Sequence, residues 1–132
     1  MTTFGGMIEG TPCSRFKRRG RAQAVGNWMS TVRRAAKDWP KVRGACMVGL
    51  YFYLGAEQFP KDYPFGPDLD NLTKSTLDGL GETVFSDAPG KDSCVVLLNV
   101  SKNFADYPTK KNGFPVGCHV TIRPFDAAEA KP

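Results

Sequence analysis

Residues 46–54 read CMVGLYFYL, nine residues with no charge and no proline. Apolar and aromatic side chains fill the run, which reads as a largely buried strand. On its N-terminal side, Pro40 closes a segment over residues 21–38 in which Val25, Trp28, Val32, Ala35/Ala36 and Trp39 recur at three- and four-residue steps. That period predicts an amphipathic helix. Gly26 inside it costs about 1 kcal/mol relative to alanine. Arg33, Arg34 and Lys37 fall off or beside the apolar stripe and are expected to face solvent. Further upstream, a short strand around residues 7–9 is closed by Gly10 and Pro12, and the tract SRFKRRGRAQ at residues 14–23 is too polar for a core.

On the C-terminal side, Pro60, Pro64, Gly66 and Pro67 make residues 58–67 a loop. Leu69, Leu72, Thr76, Leu77 and Leu80 then mark a short helix with Gly79 and Gly81 at its end. Residues 83–85 read as a short strand and residues 94–100 (CVVLLNV) as a strong one. Residues 116–122 alternate well enough to form another, after a long turn, NFADYPTKKNGFP, at residues 103–115. Strands and helices mixed in this way, with hairpin-length connections late in the chain, predict an α+β domain. The expected architecture is a small single domain over residues 1–126, with a mixed or antiparallel sheet, two main helices and a frayed tail at 127–132.

The 132 residues suit one domain, and 41% apolar with 23% charged residues excludes a disordered chain, a collagen repeat or a coiled coil. The longest apolar run, residues 45–56, is far short of the ~20 residues that span a bilayer. No basic segment followed by an apolar one opens the chain. A cytoplasmic protein with no membrane partner is expected. Charge is distributed unevenly. Residues 1–43 carry ten lysines and arginines against Glu9 and Asp38, whereas residues 44–132 carry eight basic and eleven acidic groups. A basic half suits either an anionic polymer such as nucleic acid or a solvated face. Seven of the acids fall between Asp62 and Asp92, a cluster that a simple nucleic-acid binder has reason to avoid. Cys13, Cys46, Cys94 and Cys118 include no CxxC pair, and free thiols in a reducing compartment are expected.

Within PFGPDLDNLTKSTLDGLGETVFSDAPGKDS (residues 64–93), Asp68 and Asp70 lie two apart at a helix start. In an extended segment such residues face the same way. Asp70 or Asn71 capping the helix accounts for one acid but not both. Lys74 stands one turn after Asp70, where a surface ion pair is worth about 0.3–0.5 kcal/mol. Asp87 and Asp92 follow in a Gly/Pro loop leading into a strand. If that strand lies beside the helix, its leading acid approaches the Asp68/Asp70 pair. Converging carboxylates need a cation or a proton, and hard oxygen donors favour Mg²⁺ or Mn²⁺.

The run Pro67-Asp68-Leu69-Asp70-Asn71-Leu72-Thr73-Lys74, with Leu77-Asp78-Gly79-Leu80, resembles the signature of RusA-type Holliday junction resolvases. These are small, mostly phage-encoded, Mg²⁺-dependent homodimeric endonucleases that cut four-way DNA junctions. The family pattern continues with an Asp-Asp pair and a strand ending in a basic residue, here Lys102. Upstream, Gly10-Thr11-Pro12, the Trp28 helix and the strand at residues 48–54 stand in the expected order. Where the family has adjacent aspartates, this chain has Asp87-Ala88-Pro89-Gly90-Lys91-Asp92, read as a four-residue insertion that splits the pair. The second aspartate is the family's catalytic ligand, so the resemblance favours Asp92 over Asp87.

The resemblance implies a homodimeric RusA-like fold acting on four-way or branched DNA in the cytoplasm of a bacterial host. Asp68, Asp70 and Asp92 would hold Mg²⁺, with Mn²⁺ as a substitute and Asp87 as the weaker candidate ligand. Lys74 would serve the scissile phosphate. Arg15, Lys17, Arg18, Arg19, Arg21, Arg33, Arg34, Lys110 and Lys111 would hold the DNA backbone, a source of affinity rather than sequence information. The alternative is an accessory protein that binds branched DNA and keeps the fold without cutting, since fold alone does not fix function.

Overall fold

Strand β2 (Cys46–Leu54) occupies an interior place in a four-stranded sheet, and every second side chain along it points into the core. Cys46, Val48, Leu50, Phe52 and Leu54 are all buried, as the apolar run requires. The computed structural model describes residues 2–13, 21–55, 68–105 and 115–125, with the backbone alone for residues 21–25. Residues 14–20 of the basic tract, the whole proline-rich loop at residues 58–67, the Lys110/Lys111 turn and the C-terminal tail lie outside the described residues.

The elements follow the order β1 (Phe4–Glu9), α1 (Arg21–Ala36), β2, α2 (Leu69–Gly81), a 3-10 turn (Lys91–Cys94), β3 (Val95–Phe104) and β4 (Gly117–Pro124). In the sheet they stand β1-β4-β2-β3, with β4 antiparallel to both of its neighbours and β3 parallel to β2. The α+β expectation holds, with a mixed sheet and two helices in one small domain. The late strands, however, do not form a hairpin. Cys118, Val120 and Ile122 of β4 are fully buried, so this strand takes the interior place between β1 and β2. On β3, by contrast, Val96, Leu97 and Leu98 are exposed, and the strand stands at the edge.

Residues 83–85 also differ from expectation. They lie in consecutive turns, in which the amides of Thr83 and Phe85 both donate to the Leu80 carbonyl and Ala88 N–H donates to Phe85 O. Val84 and Phe85 are fully buried, and a backbone bond from Val42 N–H to Val84 O ties the turn to the segment before β2. Two apolar residues between Glu82 and Ser86 suit a buried turn as well as a strand, and three residues carry no period to separate the two.

The helices lie together on one face of the sheet. Trp28, Val32 and Ala36 form the buried stripe of α1, and Leu72, Thr76, Gly79 and Leu80 that of α2. The Trp28 indole N–H donates to Thr76 Oγ1 at 3.0 Å, and that hydroxyl donates to the Leu72 carbonyl at 2.8 Å. One turn further along both helices, Gly79 meets Val32. A Cβ at Gly79 would stand 2.9 Å from Val32 Cγ1 and 3.3 Å from Met29 O, so only glycine permits this approach. The two contacts advance in the same direction along each helix, so α1 and α2 run parallel.

Gly26 and Gly79 therefore answer the same substitution oppositely. Among the described residues a Cβ at Gly26 would meet nothing within 4 Å, and Gly26→Ala should stabilise the fold by up to about 1 kcal/mol. Gly79→Ala should instead destabilise it by about 1–3 kcal/mol through overpacking. Urea unfolding of both variants checks the pair, and a stabilising Gly79→Ala would contradict this packing.

Candidate active site

Helix α2 begins at the acids. Asp68 is its N-cap residue, with φ −65° and ψ 135°, and its carbonyl accepts the first helical bond from Leu72 N–H at 3.0 Å. Its carboxylate makes no capping bond, although an N-cap aspartate usually spends its side chain in this way. Instead the Asp68 Oδ2 faces Asn71 Nδ2 at 3.4 Å, while Asp70 Oδ1 accepts the Asn71 backbone N–H at 3.0 Å. Asn71 thus holds both carboxylates, one through its side chain and one through its backbone. The two acids do not lie side by side on an extended segment, because Asp70 is already in the first helical turn. Both remain exposed at the positive end of the helix dipole, which favours negative charge. Asn71 enters the sequence only as a possible cap; its spacing from both acids is the signal that marks its actual role.

The buried face of α2 fixes this end in space. Ser75 Oγ donates to the Cys13 carbonyl at 2.6 Å, which ties the chain after β1 to the helix. Lys74 lies on the opposite, exposed face, and no ion pair joins it to Asp70 among the described residues. Its ammonium is therefore not committed to the surface pair that the spacing allows.

Asp92 lies elsewhere. It occupies the 3-10 turn before β3, whose preceding residues Gly90 (φ 73°) and Lys91 (φ 51°) are both left-handed. Amide bonds from Lys91 to Ala88 O and from Ser93 to Gly90 O make the inserted residues a tight turn leading to that strand. A Cβ at Gly81 would stand 3.9 Å from Lys91 Cβ, which places this turn at the C-terminal end of α2. The acid pair is at the N-terminal end, and 13 residues of helix at about 1.5 Å each put roughly 20 Å between the two ends. Because β3 runs parallel to β2, its leading end is the end that α2 runs towards, not the end it starts from. Among the described residues no three acidic, thiol or imidazole groups come together in a way that could hold a metal ion. A three-carboxylate shell from Asp68, Asp70 and Asp92 does not fit within one chain.

The Asp92 end has its own chemistry. Asp87 is exposed and pairs with Arg43 Nη2 at 3.7 Å. Lys41 Nζ donates to the Thr83 carbonyl at 2.6 Å and to Ser86 Oγ at 2.9 Å. Lys41 and Arg43 line an open groove of about 610 Å³ with Pro124 and Phe125. These two bases belong to the basic half of the sequence but carry no pattern there that singles them out. The Cys46 and Cys94 sulfurs lie 3.8 Å apart beside the turn. Burial, and then the neighbouring Cys94 thiol, push the Cys46 thiol up to about 12, and burial also raises Cys94 and Cys118. These thiols stay protonated at neutral pH and are poor soft-metal ligands there. Of the arginines expected to hold DNA, Arg33 is tied to Glu82 at 3.1 Å and to Ser30, whereas Arg34 is exposed. The side chains of Arg15, Lys17, Arg18, Arg19, Arg21, Lys110 and Lys111 lie outside the described residues.

Residues 10–111 match the family model described as Endodeoxyribonuclease RusA. The chain belongs to the RusA endodeoxyribonuclease family. The match takes in α1, β2, the acids at both ends of α2 and all of β3. A comparison with curated proteins finds no match. Nucleases of the RusA kind commonly use a divalent metal ion. Among the described residues no helix is long and apolar enough to cross a membrane.

Because the Asp68 carboxylate makes no cap bond, Asp68→Ala should cost the few tenths of a kcal/mol expected of an exposed charge near a helix dipole. A hydrogen-bonded cap would cost about 1 kcal/mol or more. Thermal unfolding distinguishes the two, and the larger loss would assign the carboxylate to the helix rather than to a ligand.

Proposed function

We propose that this protein is a Mg²⁺-dependent, structure-selective endonuclease that resolves four-way junctions and related branched DNA as a homodimer in the bacterial cytoplasm. The observation that carries this reading is the pair of exposed carboxylates, Asp68 and Asp70. Asn71 holds them together, the Asp68 carboxylate makes no cap bond, and they sit within a chain of the RusA family. Such hard oxygen donors suit Mg²⁺, with Mn²⁺ as a substitute. Asp92 is the better downstream partner for the pair, because Arg43 already engages Asp87.

The chain's other residues supply the binding steps. Lys74 extends from the exposed face of α2, one turn from Asp70, where its ammonium neutralises a phosphate. Arg34 and the basic tract that includes Arg15, Lys17, Arg18, Arg19 and Arg21 grip the backbone, with Lys110 and Lys111 from the late turn. Backbone contacts of this kind hold the duplex arms in register without reading bases. A dimer axis would set two such sites against symmetry-related strands of a junction.

The separation of Asp92 from the acid pair favours a second reading, an accessory protein that binds branched DNA without cutting it. The same assay separates the two. In Mg²⁺ buffer the wild type should cut a four-way junction and spare linear duplex of the same sequence. Asp70→Asn should abolish cutting while leaving junction binding unchanged or tighter in a band shift, because a carboxylate that repels phosphate has been removed. A wild type that binds and never cuts would establish the accessory reading. Cutting by Asp70→Asn at more than about a tenth of the wild-type rate, a loss of less than ~1.4 kcal/mol, would remove Asp70 from the site.

A further inference from the structure

Resting on the endonuclease reading for its ligand, we infer that the groove before β2 is a separate phosphate site for the DNA backbone. Lys41 and Arg43 clasp one phosphate there, and Asp87 is the counter-ion that this phosphate displaces from Arg43. The groove lies at the end of α2 away from Asp68 and Asp70, and it serves affinity.

The short segment that leads into β2 builds the groove. Val42 is buried, and the bond from its amide to Val84 O pins the segment at its centre. Lys41 and Arg43, on either side, are exposed and line the groove of about 610 Å³. Phe125 N–H donates to Ala45 O at 2.8 Å, which fixes Pro124 and Phe125 as a second wall. That wall is apolar and suits the sugar edge of a nucleotide, while the basic wall suits its phosphate.

Two positive charges are held here without being neutralised. Lys41 Nζ is fixed by the Thr83 carbonyl and by Ser86 Oγ, both neutral oxygens, and an ammonium carries a third donor. Among the described residues no carboxylate pairs with it. An ammonium held in advance loses less side-chain freedom when an anion binds.

Arg43 is held more loosely. Its guanidinium meets Asp87 Oδ2 at 3.7 Å, with 78% of the arginine side chain exposed. Charge-assisted hydrogen bonds run at about 2.7–2.9 Å, so this is a weak surface pair and easily exchanged. A phosphate offers the guanidinium two oxygens side by side, a bidentate geometry that Asp87 does not supply here. Asp87 keeps Arg43 over the groove and yields it to the backbone.

The occupant follows from charge and setting. Lys41 and Arg43 close the basic part of the chain, residues 1–43, in which ten basic groups face two acids. In a chain of the RusA endodeoxyribonuclease family, the polyanion that meets such a surface is DNA. Gly44 leaves the way in clear, since a Cβ there would meet nothing within 4 Å among the described residues.

Binding of a fluorescent four-way junction, followed by anisotropy in EDTA across a salt series, tests the site without cutting. Arg43→Gln should weaken binding about 3- to 10-fold and lower the slope of log K against log salt by about 0.9, the value of one phosphate contact. Gly44→Glu sets a negative charge in open space and should weaken binding at least as much. Gly44→Gln, of the same size, should not. Asp87→Asn should tighten binding, and most of that gain should vanish in an Arg43→Gln background, because the carboxylate acts through Arg43. Circular dichroism checks that each variant is folded, and all three positions are exposed.

An unchanged slope in Arg43→Gln, or equal affinity in Gly44→Glu and Gly44→Gln, would overturn the inference. So would an Asp87→Asn gain that is equal with and without Arg43. A Gly44→Glu that alters only the oligomeric state would give the groove to a second copy of the chain and overturn it as well. A wild type that binds the junction through these residues and never cuts in Mg²⁺ would leave the groove standing and overturn the endonuclease reading. A wild type that cuts, with every variant binding as it does, would do the reverse. A wild type that binds no junction at all would overturn both.

Discussion

The parallel pairing of β2 with β3 is the constraint on which the rest of the arrangement depends. A parallel pair requires a connection that returns across the sheet, and α2 makes that return. Whatever begins the helix is then at one end of the domain, and whatever begins β3 is at the other. In this chain the helix begins with Asp68 and Asp70, and β3 is led in by Asp92. The register runs from Cys46 opposite Val95 to Leu54 opposite Phe104, with one irregularity at its start. That length of pairing leaves no slack for Asp92 to reach the acid pair.

The helix layer makes this separation rigid. Trp28 reaches α2 through the Thr76 hydroxyl, and Gly79 lets Val32 settle against the helix backbone. At the acid end, the bond from Ser75 to the Cys13 carbonyl prevents the first turns from swinging away from the sheet. Every one of these contacts uses the buried face of α2. Asp70 and Lys74 are left on the exposed face, where charge costs little and ligands have access. The same division of labour is visible in the turn before β3. Ala88 is buried under it, and Asp92 stays partly exposed.

Much of this was legible in the residues. The run at 46–54 is β2 with the bounds the sequence suggests, and the leucine spacing marks α2 from Leu69 to Gly81. The acids, Asn71 and Lys74 stand out because polar residues are concentrated there at helical spacing. What was hidden is relational. The apolar content of CVVLLNV marks a strand, but the same content suits an interior strand and an edge that another surface covers. Nothing local says that β4 enters between β1 and β2, so the direction of β3 against α2 is not readable from either segment. Asp92 could be placed at the head of a strand, but not at the far end of the helix. Val84 and Phe85 show the same limit on a smaller scale, since their burial is explicit in composition while their turn geometry is not.

The most direct measurement is a spin-label distance in the metal-free protein. Nitroxides are attached through Asp70→Cys and Asp92→Cys in a Cys94→Ser background. With both labels on one chain, diluted into unlabelled protein, the distance should be that of opposite helix ends, roughly 20 Å. An intrachain distance of about 10 Å or less would contradict the account at its root, because Asp92 would then stand beside the acid pair at the start of α2.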